Sequence, residues 1–268
     1  MKRLIFSLLY EDGYFVLSRN FNKQKVGDIH WLLKNYKFED ISTGIDELII
    51  LDISDKINKE KFIDDVKQIN KRIFIPITLG GSINSLKDVD YYLKNGADKI
   101  LLNNIFFEDN KLPQEIAAQF GKQFIVGCID YKLIDDEIKI YKNRSKKLCD
   151  KLNLKDHIKK VIDNGAGEII LQSIDLDGTG MGMDLKILEE IEKLEIMCPI
   201  ILKGGIGKPD HIKNILLNNK VNAICTANLF NFIGDTFTKT RELLYKENIE
   251  LAKWKNQEIL NLKNIFKK

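Results

Sequence analysis

The chain repeats itself at long range, and that repetition limits the folds open to it. Gly44-Ile-Asp-Glu-Leu-Ile-Ile-Leu-Asp52 lines up with Gly165-Ala-Gly-Glu-Ile-Ile-Leu-Gln-Ser173. Farther on, Ile75-Pro-Ile-Thr-Leu-Gly-Gly-Ser-Ile83 matches Cys198-Pro-Ile-Ile-Leu-Lys-Gly-Gly-Ile206, and Gly96-Ala-Asp-Lys-Ile-Leu-Leu-Asn-Asn104 matches Lys220-Val-Asn-Ala-Ile-Cys-Thr-Ala-Asn228. The offset stays between 121 and 124 residues. Helical solenoids have far shorter units, so they are set aside.

Short apolar runs alternate with helical stretches inside each copy. Strands are expected at about 3–9, 47–52, 73–79, 98–103, 123–130, 168–173, 199–203 and 222–226. Leu86, Val89, Tyr92 and Leu93 recur at helical spacing and predict a helix over Ser85–Asn95 that stops before Gly96; Lys59–Asn70 reads the same way. Runs too apolar for one-sided sheets, each followed by a helix, imply a parallel sheet covered by helices. A closed (β/α)8 barrel of the TIM class, built from two duplicated half-barrels at about 1–120 and 121–247, is the economical solution. The 268 residues accommodate it as one domain, with 248–268 left as a helical extension.

A hydrophobic fraction of 44% excludes wholesale disorder. The net charge of +3 is small and scattered, which argues against a nucleic-acid surface. No apolar run approaches the ~18 residues of a membrane span, and no leader is read at the start. Cys128, Cys149, Cys198 and Cys225 are far apart and read as inert thiols of a reducing cytoplasm. His30, His157 and His211 fall in separate helical regions, so neither metal nor cofactor is expected.

In such a barrel, chemistry belongs where strands hand over to the following loops. Gly80-Gly81 and Gly204-Gly205 stand at equivalent ends, where glycines let backbone N–H groups approach an anion. Asn103-Asn104 and Ala227-Asn228 end the neighbouring strands. Two such cups suggest a ligand with a phosphate at each end. Asp130 follows the apolar Phe124-Ile-Val-Gly-Cys-Ile, where burial would raise its pKa and suit it to acid–base work; a loop-capping role is the alternative. Asp175-Leu-Asp-Gly-Thr-Gly180 reads either as part of the site or as an Asx turn.

Asp130 after an apolar fifth strand, Ser173-Ile-Asp-Leu-Asp-Gly-Thr179, Leu79-Gly-Gly and Lys203-Gly-Gly, over about residues 1–245, resemble the cyclase subunit of imidazole glycerol phosphate synthase. The resemblance implies a glutaminase subunit as heterodimer partner at the amino-terminal face, and ammonia passing through the barrel to a two-phosphate ribonucleotide. It implies phosphate contacts at Gly81, Asn103, Asn104, Asp177, Gly178, Gly205, Ala227 and Asn228, a general acid/base at Asp130, and an ammonia gate formed by Arg3, Glu47, Lys99 and Glu168. Snorkelling strand-end charges are the plainer account of those four.

The sequence departs from the family pattern at the mouth. Leu9, in Ser7-Leu-Leu-Tyr-Glu-Asp-Gly13, stands where the other catalytic aspartate is expected, and the repeat places it opposite Asp130. Leucine cannot transfer a proton, and losing such a group costs ~10²–10⁴ in rate. Glu11 and Asp12 are the nearest substitutes, and neither is expected in the right strand phase. Leu17 occupies the place of a substrate-binding lysine, with Arg19 nearby; Ser82 replaces a third glycine, and Lys203 a small polar residue.

Three functions follow. The first is an ammonia-handling paralogue serving amidation of acetamidino sugars in surface-polysaccharide (lipopolysaccharide) pathways, with a separate sugar amidotransferase as a further partner. The second is the lyase of histidine biosynthesis, acting on phosphoribulosyl formimino carboxamide ribonucleotide. The third is a non-catalytic bisphosphate-binding module. Ile249, Leu251, Trp254 and Ile259 among many lysines predict a helix packed on the barrel, or one docking the further partner.

Overall fold

A computed structural model describes residues 1–56, 58–227 and 236–252. Its strands in chain order are β1 (Arg3–Glu11), β2 (Tyr14–Arg19), β3 (Asn22–Gly27), β4 (Glu47–Asp52), β5 (Ile77–Gly80), β6 (Lys99–Leu102), β7 (Ile125–Ile134), β8 (Glu137–Lys142), β9 (Lys147–Leu148), β10 (Glu168–Ser173), β11 (Ile200–Lys203) and β12 (Val221–Thr226). The helices are α1 (Ile29–Asn35), α2 (Phe38–Gly44), α3 (Lys59–Asn70), α4 (Leu86–Lys94), α5 (Leu112–Phe120), α6 (Leu154–Asp163), α7 (Leu185–Glu192), α8 (Pro209–Leu216) and α9 (Thr236–Lys246). Eight strands pair in parallel in the order β1-β4-β5-β6-β7-β10-β11-β12, and β12 pairs with β1 to close a (β/α)8 barrel.

Closure removes every edge from the parallel sheet and separates two apolar layers. Inside lie Ile5, Ile49, Leu101, Val126, Ile170 and Ile201, with the smaller Ala223, Cys128 and Cys225. Alternate residues of the same strands face out against the helices, where α3 contributes Phe62, Ile63, Val66 and Ile69 and α4 contributes Val89 and Tyr92. Each such side chain contributes roughly 1.5–3 kcal/mol by leaving water. Side-chain caps begin the helices: Asn58, Ser85, Asn153 and Asp184 accept from backbone N–H groups of α3, α4, α6 and α7.

Strand starts are pinned in the same manner in both halves of the chain. Asp98 accepts from Ile77 N at 2.8 Å, and Asn222 accepts from Ile200 N at 3.0 Å. The two acceptors are 124 residues apart and occupy matching places in the sequence repeat.

The structure corrects the expected layout in three places. Strand–helix alternation is interrupted by hairpins: β2 and β3 extend β1, and β8 and β9 extend β7. β5 starts at Ile77 rather than at 73, because Pro76 has no N–H to give to a ladder. Residues 248–252 are not helical. Asn248 takes a left-handed φ of 57° and ends α9, after which Ile249 and Leu251 are buried and Leu251 bridges to Lys2. Trp254, Ile259 and the rest of the expected extension lie outside the described residues. Among the described residues no helix is long and apolar enough to cross a membrane.

Candidate functional site at the two ends of the barrel

Arg3, Glu47, Lys99 and Glu168 are the first residues of β1, β4, β6 and β10, so strand phase points all four into the barrel base. They form one closed ring. Arg3 Nη1 is 3.1 Å from Glu47 and 3.1 Å from Glu168, and Lys99 Nζ is 3.0 Å from Glu47 and 3.2 Å from Glu168. Two acids between two bases leave no net charge, and each carboxylate is shared, which compensates its desolvation. Thr78, not singled out in the sequence, donates its hydroxyl to Glu47 at 2.5 Å and fixes that carboxylate from β5. Above the ring the lumen is lined by the inner apolar layer, with the buried Ser7 hydroxyl beside Cys225.

At the other end, Asp130, Gln172, Lys203 and Cys225 lie side by side on β7, β10, β11 and β12. Asn103 at the end of β6 donates its amide to Asp130 at 2.9 Å, and the Cys128 thiol lies 3.8 Å from the same carboxyl. Burial pushes the Asp130 carboxyl up to about 6; Asn103, the Lys203 ammonium, Asn143 and Cys128 act against that rise without cancelling it. Such a carboxyl exchanges a proton readily near neutral pH. Burial likewise raises the Cys128 thiol, strengthened by Asp130, and keeps it unreactive. Leu9 is half-buried at the upper end of β1, in register with Leu51 of β4. One side of the mouth is therefore polar and the other apolar.

Alternation puts Glu11 on the same side of β1 as Leu9, which corrects the expected phase. It nevertheless lies within the hairpin, paired with Tyr14 of β2 in register and with the Lys23 ammonium. Asp12 takes a φ of 50° in the turn and donates its own N–H to Ser54 Oγ at 2.9 Å.

Gly81-Ser82 and Gly204-Gly205 adopt matching backbones, one residue out of step with the glycine pairs themselves. Gly81 (φ 123°) and Gly204 (φ 112°) both require the region that glycine favours, and a Cβ on either would meet the carbonyl oxygen ending a neighbouring strand, Asp52 at 2.4 Å or Ser173 at 2.8 Å. Ser82 (φ 39°) follows Gly81 as Gly205 (φ 74°) follows Gly204. Gly80 completes β5, packed between Leu51 and Leu101. Asn104 is turned away from Asp130, its side chain accepting from Arg144 N at 3.0 Å. Ala227 follows β12 near Ser7 and Leu17, and Asn228 lies outside the described residues.

Asp177 has an occupation that its position did not reveal. Its carboxylate accepts from Ser18 Oγ at 2.5 Å and from Phe21 N at 3.3 Å, while its carbonyl accepts from Asn20 N at 2.9 Å. Gly178 passes so close to the hairpin that a Cβ would stand 2.0 Å from Ser18 O. The β2–β3 turn is thereby clamped to the loop after β10. His30, His157 and His211 sit on α1, α6 and α8, and no cluster of His, Cys, Asp or Glu suited to a metal occurs among the described residues.

Sequence comparisons agree with this geometry. The family model described as "Histidine biosynthesis protein" matches residues 3–235. A protein of Parasynechococcus marenigrum (strain WH8102), provisionally named imidazole glycerol phosphate synthase subunit hisF2, is 40% identical over 256 residues, covering 94% of each chain. The imidazole glycerol phosphate synthase subunit HisF of Bacillus cereus (strain G9842) is 36% identical over 253 residues, 93% of this chain and 98% of its own. Its counterpart from strain Q1 matches to the same extent. With a closed eight-stranded barrel and a family match over most of its length, the chain belongs to the HisF-type family of imidazole glycerol phosphate synthase cyclase subunits.

Proposed function

We propose that this chain is the synthase-type subunit of a glutamine-dependent complex. A glutaminase docks at the barrel base, and its ammonia enters through Arg3, Glu47, Lys99 and Glu168 and crosses the lumen to a phosphorylated ligand at the mouth. The observation that carries this reading is the closed ionic ring opening onto an apolar lumen. Neutral ammonia crosses such a passage, whereas ammonium would lose its hydration without a partner. Gly80-Gly81 and Gly204-Gly205, with Asn103, Gly178 and Ala227, are assigned to the ligand's two phosphates, and Asp130 to proton transfer.

The acceptor is proposed to be other than the histidine-pathway ribonucleotide, with the barrel serving amidation of a sugar in surface-polysaccharide synthesis. Leu9 supports this, since the mouth then has one carboxyl where the family chemistry uses two. The hisF2 name of the P. marenigrum relative accords with a paralogue. Authentic cyclisation is the second reading, favoured by Asp130 with its raised pKa and by the HisF relatives from B. cereus. Purified protein supplied with ammonium salt and phosphoribulosyl formimino carboxamide ribonucleotide separates the two. The paralogue reading expects no imidazole product above background, and rapid product overturns it.

A further inference from the structure

Lys203 is the last residue of β11, level with Gln172 on one side and Cys225 on the other. Cys225 belongs to the lumen lining, so the Lys203 side chain points inward as well. It is only 6% exposed. Among the described residues its ammonium has neither an ion pair nor a hydrogen bond. Asp130, two strands away, bonds instead to Asn103 and Cys128. An ammonium carries three donors and no acceptor; this one still reaches solvent at the mouth, and among the described residues no oxygen lies within hydrogen-bond range of it. A lysine enclosed along its stem, pointing into the barrel mouth with its donors unused, is placed to meet an acceptor that arrives with a ligand.

The charge of the mouth points the same way. The first strand brings the apolar Leu9 to the mouth, in register with Leu51 and not a second carboxylate. Lys203 stands two strands from Asp130 and acts on it through its charge, so the mouth carries one group of each sign and an electron-rich group between the phosphates is attracted rather than repelled. In the sequence repeat Lys203 stands opposite Gly80, so this cation is present on one side only.

We propose that Lys203 supplies a third ligand contact, holding a carbonyl or anionic oxygen that lies between the two phosphates of a bisphosphorylated ligand. The proposal rests on the two glycine cups being phosphate sites. It narrows the ligand class to compounds with such a central acceptor, a ketose bisphosphate being the simplest.

Calorimetric titration tests it with ribulose 1,5-bisphosphate, its reduced alditol bisphosphate and inorganic phosphate as probes. The wild type is expected to bind the ketose about tenfold more tightly than the alditol. Lys203→Met should bring the two within about twofold while leaving inorganic phosphate within about twofold of wild type. Lys203→Ser serves equally if the methionine variant does not fold. A preference for the ketose that survives both substitutions overturns the proposal, as does a loss of inorganic phosphate matching the loss of ketose, which would make Lys203 a phosphate ligand of the adjacent cup. Equal binding of both bisphosphates by the wild type removes the Lys203 contact alone. Binding of none of the probes removes the two-cup reading and the proposal with it.

Discussion

Ser18 donates its hydroxyl to Asp177 at 2.5 Å and so ties the β2–β3 hairpin to the loop after β10. The two residues are 159 positions apart, and the bond is backed by Asn20 and Phe21 main-chain contacts to the same aspartate. Ser18→Ala removes one charge-assisted bond, worth about 1 kcal/mol where the group is part-exposed. Hydrogen exchange at the hairpin amides should accelerate about fivefold while the denaturation midpoint of the whole barrel barely moves. An unchanged exchange rate would show that the main-chain contacts hold the hairpin alone.

What could be read in advance divides along physical lines. Glu47–Asp52, Glu168–Ser173 and Lys59–Asn70 match their expected bounds because each is an uninterrupted apolar or helical period. The hairpins escaped, although Asp12-Gly13 carries a hairpin-turn signature and adopts φ values of 50° and 88°. Asn22-Lys-Gln-Lys-Val-Gly27 is too polar to announce itself as a strand. At the site, the repeat drew attention to both glycine pairs, the preceding apolar run to Asp130, and the family resemblance to the four ring residues. Thr78, the Asp177 clamp and the isolation of Lys203 depend on which strands meet side by side, and no local pattern encodes that.

Glu47 and Glu168 are matching residues of the repeat with unequal surroundings. Glu47 holds Arg3, Lys99 and Thr78 and is 3% exposed in its side chain; Glu168 holds Arg3 and Lys99 and is 14% exposed. Breaking a buried ionic group costs ~3–5 kcal/mol, less when solvent reaches it. Glu47→Gln should therefore lower the urea midpoint more than Glu168→Gln, by about 1 kcal/mol or more in free energy. Both should weaken transfer of glutamine-derived ammonia while leaving activity with added ammonium salt in place. Equal destabilisation would argue that Thr78 contributes nothing to the ring.

Asp130 makes stability depend on pH. Its carboxyl is held at about 6 in the fold, above the ~3.9 of an unfolded chain. The folded state keeps that proton longer, so between about pH 4 and pH 6 this group's contribution to stability falls as pH rises, and above 6 it is lost in full. Asp130→Asn never ionises. The variant should equal wild type near pH 4 and exceed it by roughly 2–3 kcal/mol at pH 7. Matched denaturation curves at the two pH values check this, and an equal difference at both would contradict it.

His157 acts in the opposite direction and away from the mouth. It is fully buried on α6, stacked on Phe107 at 4.6 Å, and neither ring nitrogen has a hydrogen-bond partner among the described residues. Burial, helped by the Lys160 charge, lowers its pKa from 6.5 to about 4. Below pH 6.5 the unfolded chain takes up a proton that the fold refuses, so stability is lost as pH falls towards 4, by roughly 3 kcal/mol. His157→Leu should abolish that acid-side loss. Comparing the variant with wild type cancels the Asp130 contribution, which both share.

Leu9 and Lys203 are the two mouth positions at which the proposed function is most directly tested. Leu9 is half-buried at the open end of β1, so Leu9→Asp places a carboxylate near solvent rather than in the core, and the barrel should tolerate it. Alone, the new acid faces Asp130 with Lys203 still present. Combined with Lys203→Ser, it gives a mouth with two carboxyls, each raising the other's pKa. If the missing proton carrier is what bars cyclisation, the double variant given ammonium salt and the ribonucleotide should form imidazole product at least ~10² faster than wild type. Leu9→Asp alone should fall between the two, because its partner carboxyl remains under the influence of the Lys203 charge. Absence of any gain in either variant would place the barrier in ligand binding instead, at Leu17 or Ser82.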